Sequence, residues 1–181
     1  NTDYVGVLRA LEKKLHLPAS RVLIFGAGGA ARAAAFAVAR AGAQVAICAR
    51  REKSAQQLAR AVGGIAIPRR ALRFKKFDAI LNATPVGMHP HSKISPLSAH
   101  ELNCQIVMDL IYRPQRTEFL NIARQKGITT ISGVEMFLAQ GLAQWELWTG
   151  QRAPEAPMRR AILKSLHTEE RLAINNRRSR A

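Results

Sequence analysis

A glycine-rich hexapeptide, Gly26-Ala27-Gly28-Gly29-Ala30-Ala31, is the segment of this sequence with the clearest chemical use. It follows the apolar run VLIF and precedes an alanine-rich stretch of helical composition. Glycines spaced in this way permit a tight turn after a strand and let a pyrophosphate approach the backbone, and the small last residue allows the next helix to pack closely. Amide groups at the helix N-terminus then face the anion. The hexapeptide therefore predicts binding of a dinucleotide.

The residues after the second apolar run predict which dinucleotide is bound. An NAD-binding protein places an acidic residue there, where it holds the ribose hydroxyls. Here the run VAIC leads into Ala49-Arg50-Arg51-Glu52-Lys53. Arg50 and Arg51 can hold a 2′-phosphate through planar, multidentate hydrogen bonds, and Lys53 adds a point charge. The sequence therefore predicts NADP as the cofactor.

Apolar runs of strand length alternate with helical patterns along most of the chain, and these elements must position the two anion-binding segments. The predicted strands are Val22–Phe25, Val45–Cys48, Ile65–Ile67, Ala79–Leu81, Ile106–Leu110 and Ile128–Ile131. The predicted helices are Val5–Leu15, Ala30–Arg40, Glu52–Val62, Arg116–Lys126, Val134–Trp148 and Met158–Leu166. Strands that are apolar on both faces and separated by helices indicate an α/β fold, a Rossmann-type doubly wound parallel sheet with helices on both faces.

Two local expectations follow from this arrangement. Asp3 is placed to cap the first helix, since a side-chain oxygen there can accept from a free backbone amide. The segment Ala83–Gln105 contains three prolines and is long for a loop in a compact domain. Loops of this length are usually functional, and this one follows a strand end, where ligands bind in such sheets.

The chain is strongly basic, with 28 Lys and Arg against 12 Asp and Glu and a net charge of +16. Such a charge favours anionic ligands and nucleic acids alike. Two clusters stand out: Arg69, Arg70, Arg73, Lys75 and Lys76, and then Arg177, Arg178 and Arg180. Neither alternates with aromatic residues as single-strand binders do, so we interpret both as solvated surface and expect no specific nucleic-acid partner.

Several other classes of protein are not favoured by the sequence. No apolar run is long enough to span a bilayer, so no membrane partner is expected. Two distant cysteines, with Cys48 expected in the core, indicate a reduced, cytoplasmic protein without disulfides. The pair His89 and His91 lacks further ligands in a fixed frame even with His100 nearby, so no metal site is predicted. Trp145 and Trp148 are expected to pack in the core.

Further groups of residues stand in a fixed order along the chain. They are Asn1-Thr2-Asp3 with Gly6, the hexapeptide at 26–31, Ala49-Arg50-Arg51, Asn82 to Met88, Asp109 to Pro114, Gly133 to Gln140, and Trp148-Thr149-Gly150. In this order they resemble the C-terminal part of the shikimate dehydrogenase family, over nearly the whole chain up to about Leu166. In that family an NADPH hydride reversibly reduces the ring ketone of 3-dehydroshikimate to shikimate, a step of aromatic amino acid biosynthesis.

The resemblance implies a role for individual residues. Asp3 pairs with a catalytic lysine and holds a substrate hydroxyl, while Tyr112 and Gln140 contact the substrate. Gly133 has no side chain to obstruct the nicotinamide ring, and Gln140 lies one helical turn beyond Met136. The cofactor-binding residues are Gly26, Ala27, Gly28, Gly29, Ala30, Ala31, Ala49, Arg50, Arg51, Lys53, Ala83, Thr84, Pro85, Met88, Leu110, Gly133 and Met136.

The resemblance also implies a division of the protein. The family's catalytic lysine and its serine-containing carboxylate clamp belong to an N-terminal substrate domain that would precede Asn1, so we expect a longer or bifunctional polypeptide. Residues 1–17 are then a linker helix, residues 18–150 the NADP-binding domain, and residues 151–181 a C-terminal helix and basic tail. A homodimer is a further expectation. The family pattern is broken at Ala49, Arg51 and Pro85, which replace an asparagine, a hydroxyl residue and a serine.

Two alternatives remain open. Quinate dehydrogenases share these motifs and often use NAD, against which Arg50 and Arg51 argue. The chain could instead be a binding module that senses NADP without catalysis, for which Asp3, Tyr112 and Gln140 would be superfluous. A Ser-x-Ser motif and a lysine-bearing motif upstream of Asn1 would favour the enzyme.

Overall fold

A computed structural model describes the backbone of residues 1–178 and the side chains of residues 1–168. Six strands form one sheet: β1 (Arg21–Phe25), β2 (Gln44–Cys48), β3 (Ile65–Ala66), β4 (Phe77–Asn82), β5 (Cys104–Asp109) and β6 (Thr129–Ile131). The α-helices are α1 (Thr2–Glu12), α2 (Gly29–Arg40), α3 (Glu52–Ala61), α4 (Glu118–Gln125), α5 (Gly133–Thr149) and α6 (Glu155–Arg178). Short 3-10 helices lie at Arg69–Phe74 and Ala99–Glu101.

The strands are all parallel and lie in the order β3-β2-β1-β4-β5-β6. This order reverses direction between β1 and β4, as in a doubly wound sheet. The predicted Rossmann-type fold and its six strands are therefore confirmed. Ligands of such sheets bind outside the carboxyl ends of the strands at the point of reversal, which directs attention to the ends of β1 and β4.

Two hydrophobic layers cover the two faces of the sheet. One layer packs α1, α2, α3 and the start of α5 against it. The other contains α4, the 3-10 helix Arg69–Phe74, and Leu97 and Leu102 on either side of the second 3-10 helix. Alanines dominate the buried side of α2, so this helix lies close to the strands. Cys48 is buried in the second layer, as predicted, and its burial raises the pKa of the thiol to about 11. Both cysteines are free.

The first helix begins earlier than predicted, and the expected cap is wrong. Asn1, not Asp3, is the N-cap: its side-chain oxygen accepts a hydrogen bond of 3.0 Å from the Asp3 amide. Asparagine is among the strongest N-cap residues, which accounts for a helix that begins at Thr2. Asp3 lies in the first turn, where its negative charge complements the helix dipole.

The last helix is longer than the predicted Met158–Leu166. Its first turn contains Pro157, which fits there because the N–H that proline lacks would have no partner within the first turn of a helix. Two carboxylates anchor this turn, because Arg159 contacts Glu135 of α5 at 2.6 Å and Glu155 at 3.6 Å. The helix therefore docks on α5 through charge as well as through apolar contacts.

The far end of α5 contradicts the prediction that its tryptophans pack in the core. Trp145 is 39% exposed and Trp148 is 77% exposed, and Leu147 beside them is nearly as exposed as Trp148. The helix runs 17 residues from Gly133, but its buried residues all lie between Gly133 and Ala139. Its last turns extend past the edge of the core. No helix in the described part of the chain is both long and apolar enough to cross a membrane.

Candidate functional site

The glycine-rich hexapeptide connects β1 to α2, and its glycines differ in what surrounds them. Gly26 has a φ of +129°, and a Cβ there would lie 2.7 Å from the carbonyl oxygen of Ala83. A Cβ at Gly28 or Gly29 would meet no atom within 4 Å. Ala31 is fully buried against the sheet. Gly26 and Ala31 therefore serve the packing of the loop, whereas Gly28 and Gly29 leave backbone amides open to a ligand.

A cavity of about 350 Å³ opens beside this loop, at the carboxyl ends of β1, β4 and β5. Its lining consists of Gly28, Gly29, Ala30, Ala83, Thr84, Pro85, Met88, Leu110, Ile111, Tyr112 and Arg113. All of these except Ile111 and Arg113 were predicted to bind cofactor or substrate. Those two residues flank Tyr112 in the group Asp109 to Pro114. Their position beside a predicted substrate residue is the signal in the sequence by which they could have been found.

A fully buried asparagine organises the wall of the cavity that follows β4. The Asn82 side chain donates to the Val86 carbonyl at 3.2 Å. Its oxygen accepts from the amide of Thr84 at 3.0 Å and from the Thr84 hydroxyl at 2.7 Å. The Thr84 hydroxyl oxygen accepts in turn from the Val86 amide at 3.2 Å. Thr84, which was predicted to lie beside the cofactor, thus also holds its own loop in shape.

A fully buried carboxylate organises the opposite wall, which follows β5. Asp109 lies in register with Asn82 on the neighbouring strand and accepts from its amide nitrogen at 3.0 Å. It also accepts from the Ile111 amide at 3.0 Å and from the Thr117 hydroxyl at 2.6 Å. Burial raises the pKa of Asp109 to about 6, although these three donors oppose the rise. Three donors face the side chain, which suits a carboxylate that only accepts hydrogen bonds.

Neither Asn82 nor Asp109 was predicted as a site residue, although both belong to motifs that the sequence displays. Each is the polar residue that directly ends an apolar strand, and the two strands are adjacent. We refer to Asn82, Thr84, Asp109 and Thr117 together as the polar hub. No buried side-chain nitrogen or oxygen in the described residues lacks a hydrogen-bond partner, so the hub is fully satisfied.

The predicted phosphate-binding cations lie at the end of β2, next to the glycine loop. The Gly26 amide donates to the Cys48 carbonyl at 2.8 Å, which holds that strand end against the loop. Arg50, Arg51 and Lys53 follow, and all three are exposed. Arg51 is the N-cap residue of α3, yet its side chain makes no capping hydrogen bond. Cations at a helix N-terminus oppose the helix dipole, and a bound phosphate would offset that repulsion.

The structure places one of the three predicted substrate residues in the cavity lining. Tyr112 lines the cavity and stacks on Phe137 of α5 with ring centroids 4.6 Å apart. Asp3 and Gln140 lie on α1 and α5, outside the cavity lining. These two helices cross closely at Gly6, where a Cβ would lie 3.2 Å from the Cβ of Gln140. Asp3 is three residues before Gly6 and therefore shares its helix face.

The structure shows a reason for a glycine at position 133 that the sequence did not indicate. A Cβ there would lie 2.3 Å from the Ile111 carbonyl oxygen and 2.8 Å from that of Leu110. The glycine thus lets the start of α5 approach the loop after β5. Met136, predicted to contact the cofactor, is buried in the core where α5 meets α1.

The first basic cluster is only partly a solvated surface. Arg69 forms a double hydrogen bond with Glu101, at 2.9 and 3.0 Å, and lies over the Phe25 ring. Burial raises the pKa of Glu101, but hydrogen bonds from Arg69 and Ser98 outweigh it and bring the pKa to about 2. Arg70, Arg73, Lys75 and Lys76 are exposed. The side chains of the second cluster lie outside the described residues.

The histidines considered as metal ligands, His89, His91 and His100, are exposed. Among the residues that the structure describes, there is no group of three or more His, Cys, Asp or Glu side chains placed to hold a metal ion.

Two protein families match parts of the chain. The Shikimate 5′-dehydrogenase C-terminal domain matches residues 133–163, and an FAD binding domain matches residues 21–87. The second match covers β1, the glycine loop and the following elements up to the start of the cavity wall. This is the pyrophosphate-binding unit that flavin and nicotinamide dinucleotides share, so it does not distinguish between them.

Proteins of known identity resemble the chain much more widely. The shikimate dehydrogenase (NADP(+)) of Halobacterium salinarum is 43% identical over 166 residues, covering 90% of the chain and 62% of that relative. The solved shikimate 5-dehydrogenase of Thermus thermophilus, in complex with NADP(H) and shikimate, aligns with a TM-score of 0.84 at 37% identity. That alignment covers 92% of the chain and 63% of the solved protein.

A quinate dehydrogenase is also similar. The enzyme of Corynebacterium glutamicum, solved in complex with NAD, aligns with a TM-score of 0.81 at 28% identity, covering 91% of the chain and 62% of that protein. The chain thus spans 62–63% of the length of these relatives. The ordered motifs, the strand order and the alignments agree, and the chain belongs to the shikimate dehydrogenase family.

Proposed function

We propose that the chain supplies the cofactor half of an NADP-dependent shikimate dehydrogenase. The observation that carries this proposal is the cavity at the reversal point of the sheet, which joins the open glycine loop to Leu110 and Tyr112. Relatives named shikimate dehydrogenase (NADP(+)) support the reaction, and a solved relative that contains NADP(H) and shikimate supports both ligands.

The cofactor would lie along the carboxyl edge of the sheet. Amides at Gly28 and Gly29 receive the pyrophosphate, and Arg50, Arg51 and Lys53 receive the 2′-phosphate. The nicotinamide half occupies the cavity, whose walls of Thr84, Pro85, Met88 and Leu110 exclude water from one side of the ring. When bound, NADPH supplies the hydride that reduces the ring ketone of 3-dehydroshikimate.

The substrate would lie between Tyr112 and the α1–α5 pair. The Asp3 carboxylate can accept hydrogen bonds from the substrate hydroxyls, and the Gln140 amide can both donate to them and accept from them. The general acid for the carbonyl oxygen and the carboxylate clamp come from a preceding substrate domain. Residues 1–17, 18–150 and 151–181 then form the linker, cofactor and C-terminal parts of a cytoplasmic enzyme, for which a homodimer is also proposed.

The rival function is quinate dehydrogenation with NAD, as in the similar enzyme of Corynebacterium glutamicum. The residues after β2 favour NADP, because three cations and a helix N-terminus without a side-chain cap leave the adenosine side of the site strongly positive. A 2′-phosphate would be stabilised there, whereas the ribose hydroxyls of NAD would find no acidic acceptor at Ala49.

We expect this chain to bind NADP at least about tenfold more tightly than NAD, a difference of about 1.4 kcal/mol, which lies within the reach of one charge-assisted hydrogen bond. Calorimetric titration of both cofactors measures the ratio. Arg50→Ala should remove most of the preference by weakening NADP alone. Arg60→Ala, at the other end of the same helix and also exposed, is the matched control and should leave the ratio unchanged. Equal affinities in the unmodified chain would refute the assignment.

The basic surface should not make this chain a specific nucleic-acid binder. Exposed cations such as Arg70 and Lys75 give at most weak, sequence-independent binding that falls steeply with salt. A filter-binding assay near physiological ionic strength, with several unrelated duplexes and single strands, measures this. Submicromolar, sequence-selective binding would contradict the prediction.

A further inference from the structure

The hydrogen bonds of the polar hub have a fixed direction. Both N–H groups of the Asn82 amide are used, toward Asp109 and toward the Val86 carbonyl, and its oxygen accepts both bonds from Thr84. An ionised carboxylate can only accept hydrogen bonds, so the amide nitrogen of Asn82 must face it. The amide oxygen is thereby turned toward Thr84. The charge on Asp109 thus decides the orientation of Asn82.

Two members of the hub, Asn82 and Asp109, connect both walls of the cavity without lining it themselves. On one side Asp109 accepts from Ile111, next to the lining residue Leu110. On the other side Asn82 relays the contact to Thr84, which lines the opposite wall. Asp109 and Asn82 are themselves fully buried, so a ligand in the cavity does not touch them.

We infer that Asp109 is a positioning residue, which holds the two walls of the cavity at the spacing that the nicotinamide half of the cofactor requires. The inference rests on the proposed function for the identity of the ligand. It assigns to the hub a task beyond stability: without it each strand end would still pair through backbone hydrogen bonds, such as that from the Leu110 amide to the Asn82 carbonyl at 3.0 Å. The loops beyond those ends, however, would no longer be held at a fixed spacing by side-chain hydrogen bonds.

The substitution Asp109→Asn separates positioning from packing. It keeps the size of the side chain but replaces one of the two carboxylate oxygens by an NH2 group, so only one of the two side-chain donors, Asn82 and Thr117, keeps an acceptor. One donor must then turn away or remain unpaired, which is costly in a buried network. Turning Asn82 would release Thr84 and displace the wall after β4.

The test compares two ligands of the intact chain by calorimetry. NADP spans the whole site, while 2′,5′-ADP carries the 2′-phosphate but lacks the nicotinamide half. Asp109→Asn should weaken NADP by about tenfold, the effect of one disrupted buried hydrogen bond, and leave 2′,5′-ADP within about twofold. Asp78→Asn is the matched control, because it makes the same change near the opposite end of β4, where Asp78 accepts from the Arg21 amide at 2.7 Å, and it should bind both ligands like the unmodified chain. Thermal unfolding of each variant is measured alongside.

Each outcome has one meaning. Loss of both ligands to the same extent, or undiminished NADP binding by a folded Asp109→Asn variant, overturns the inference. If that variant does not fold, Thr117→Val replaces it. This change removes the hydroxyl that donates to Asp109 and that also caps α4 by accepting from the Leu120 amide, and the same difference between ligands is required. An unmodified chain that binds neither ligand refutes the proposed function instead.

Discussion

The purified 181-residue chain, mixed with NADP and shikimate, should produce no measurable NADPH, although it binds the cofactor. Removal of a general acid–base group costs about 10²–10⁴ in rate, and loss of a substrate clamp costs further through lost positioning. Lys13 lies ten residues beyond Asp3, roughly 15 Å along the helix at about 1.5 Å per residue. Lys13 follows the C-terminal end of α1, and its amine is 4.0 Å from Glu155 of α6. It therefore cannot bind the same substrate hydroxyl as Asp3.

The measurement follows NADPH absorbance at high protein concentration, before and after the substrate domain of the family is added in trans. Activity should appear only after the addition. Asp3→Asn is the matched variant: it should abolish this rescue while NADP affinity stays the same, because Asp3 lies outside the cavity lining. Turnover by the isolated chain would show that the acid–base group lies within these residues.

Gly133→Ala should strongly destabilise the chain, whereas Gly28→Ala should spare stability and abolish tight cofactor binding. At Gly133 the new methyl would lie 2.3 Å from the Ile111 carbonyl oxygen, and overpacking against backbone costs about 3 kcal/mol, or roughly 6–12 °C in Tm for a chain of this size. At Gly28 the methyl would meet no protein atom within 4 Å. It would occupy the space through which we propose that the pyrophosphate approaches.

Thermal unfolding and NADP titration of the two variants together check this pair. The expected pattern is a large drop in Tm for Gly133→Ala and a change in stability below about 1 kcal/mol, the size of a helix N-cap preference, for Gly28→Ala. The pattern fails if Gly28→Ala binds NADP normally. It fails equally if Gly133→Ala unfolds at the temperature of the unmodified chain.

The sheet could be predicted from the sequence because its strands are short apolar runs between helical patterns. Runs such as VLIF and VAIC are buried on both faces, which only a covered parallel sheet provides. Most of the cavity lining could be predicted too, since a parallel sheet gathers the loops after β1, β4 and β5 at one edge. Helix ends were less predictable, because local composition does not show that Asn1 caps α1 or that Pro157 lies within the first turn of α6.

The reasons behind single residues were harder to predict than their positions. Gly133 was expected to clear space for a ligand, but the atoms that require it belong to the backbone of a distant loop. A single sequence does not show which segments of the chain pack against each other, here the start of α5 and the loop after β5. The pairing of Asn82 with Asp109 likewise depends on the register of two strands, and register is set by packing across the whole sheet.

The close crossing of α1 and α5 at Gly6 has a consequence for how far the proposed active site can drift by mutation. A side chain at position 6 would press on the Met136 carbonyl oxygen, at 2.8 Å, and the helices would have to separate. Asp3 and Gln140 would then move apart, although neither had changed. A misplacement of about 1 Å can cost about a hundredfold in rate. Gly6, which has no reactive group, therefore limits how far Asp3 and Gln140 can be displaced before activity is lost. We therefore expect natural variation at position 6 to be narrower than at Gln140 itself.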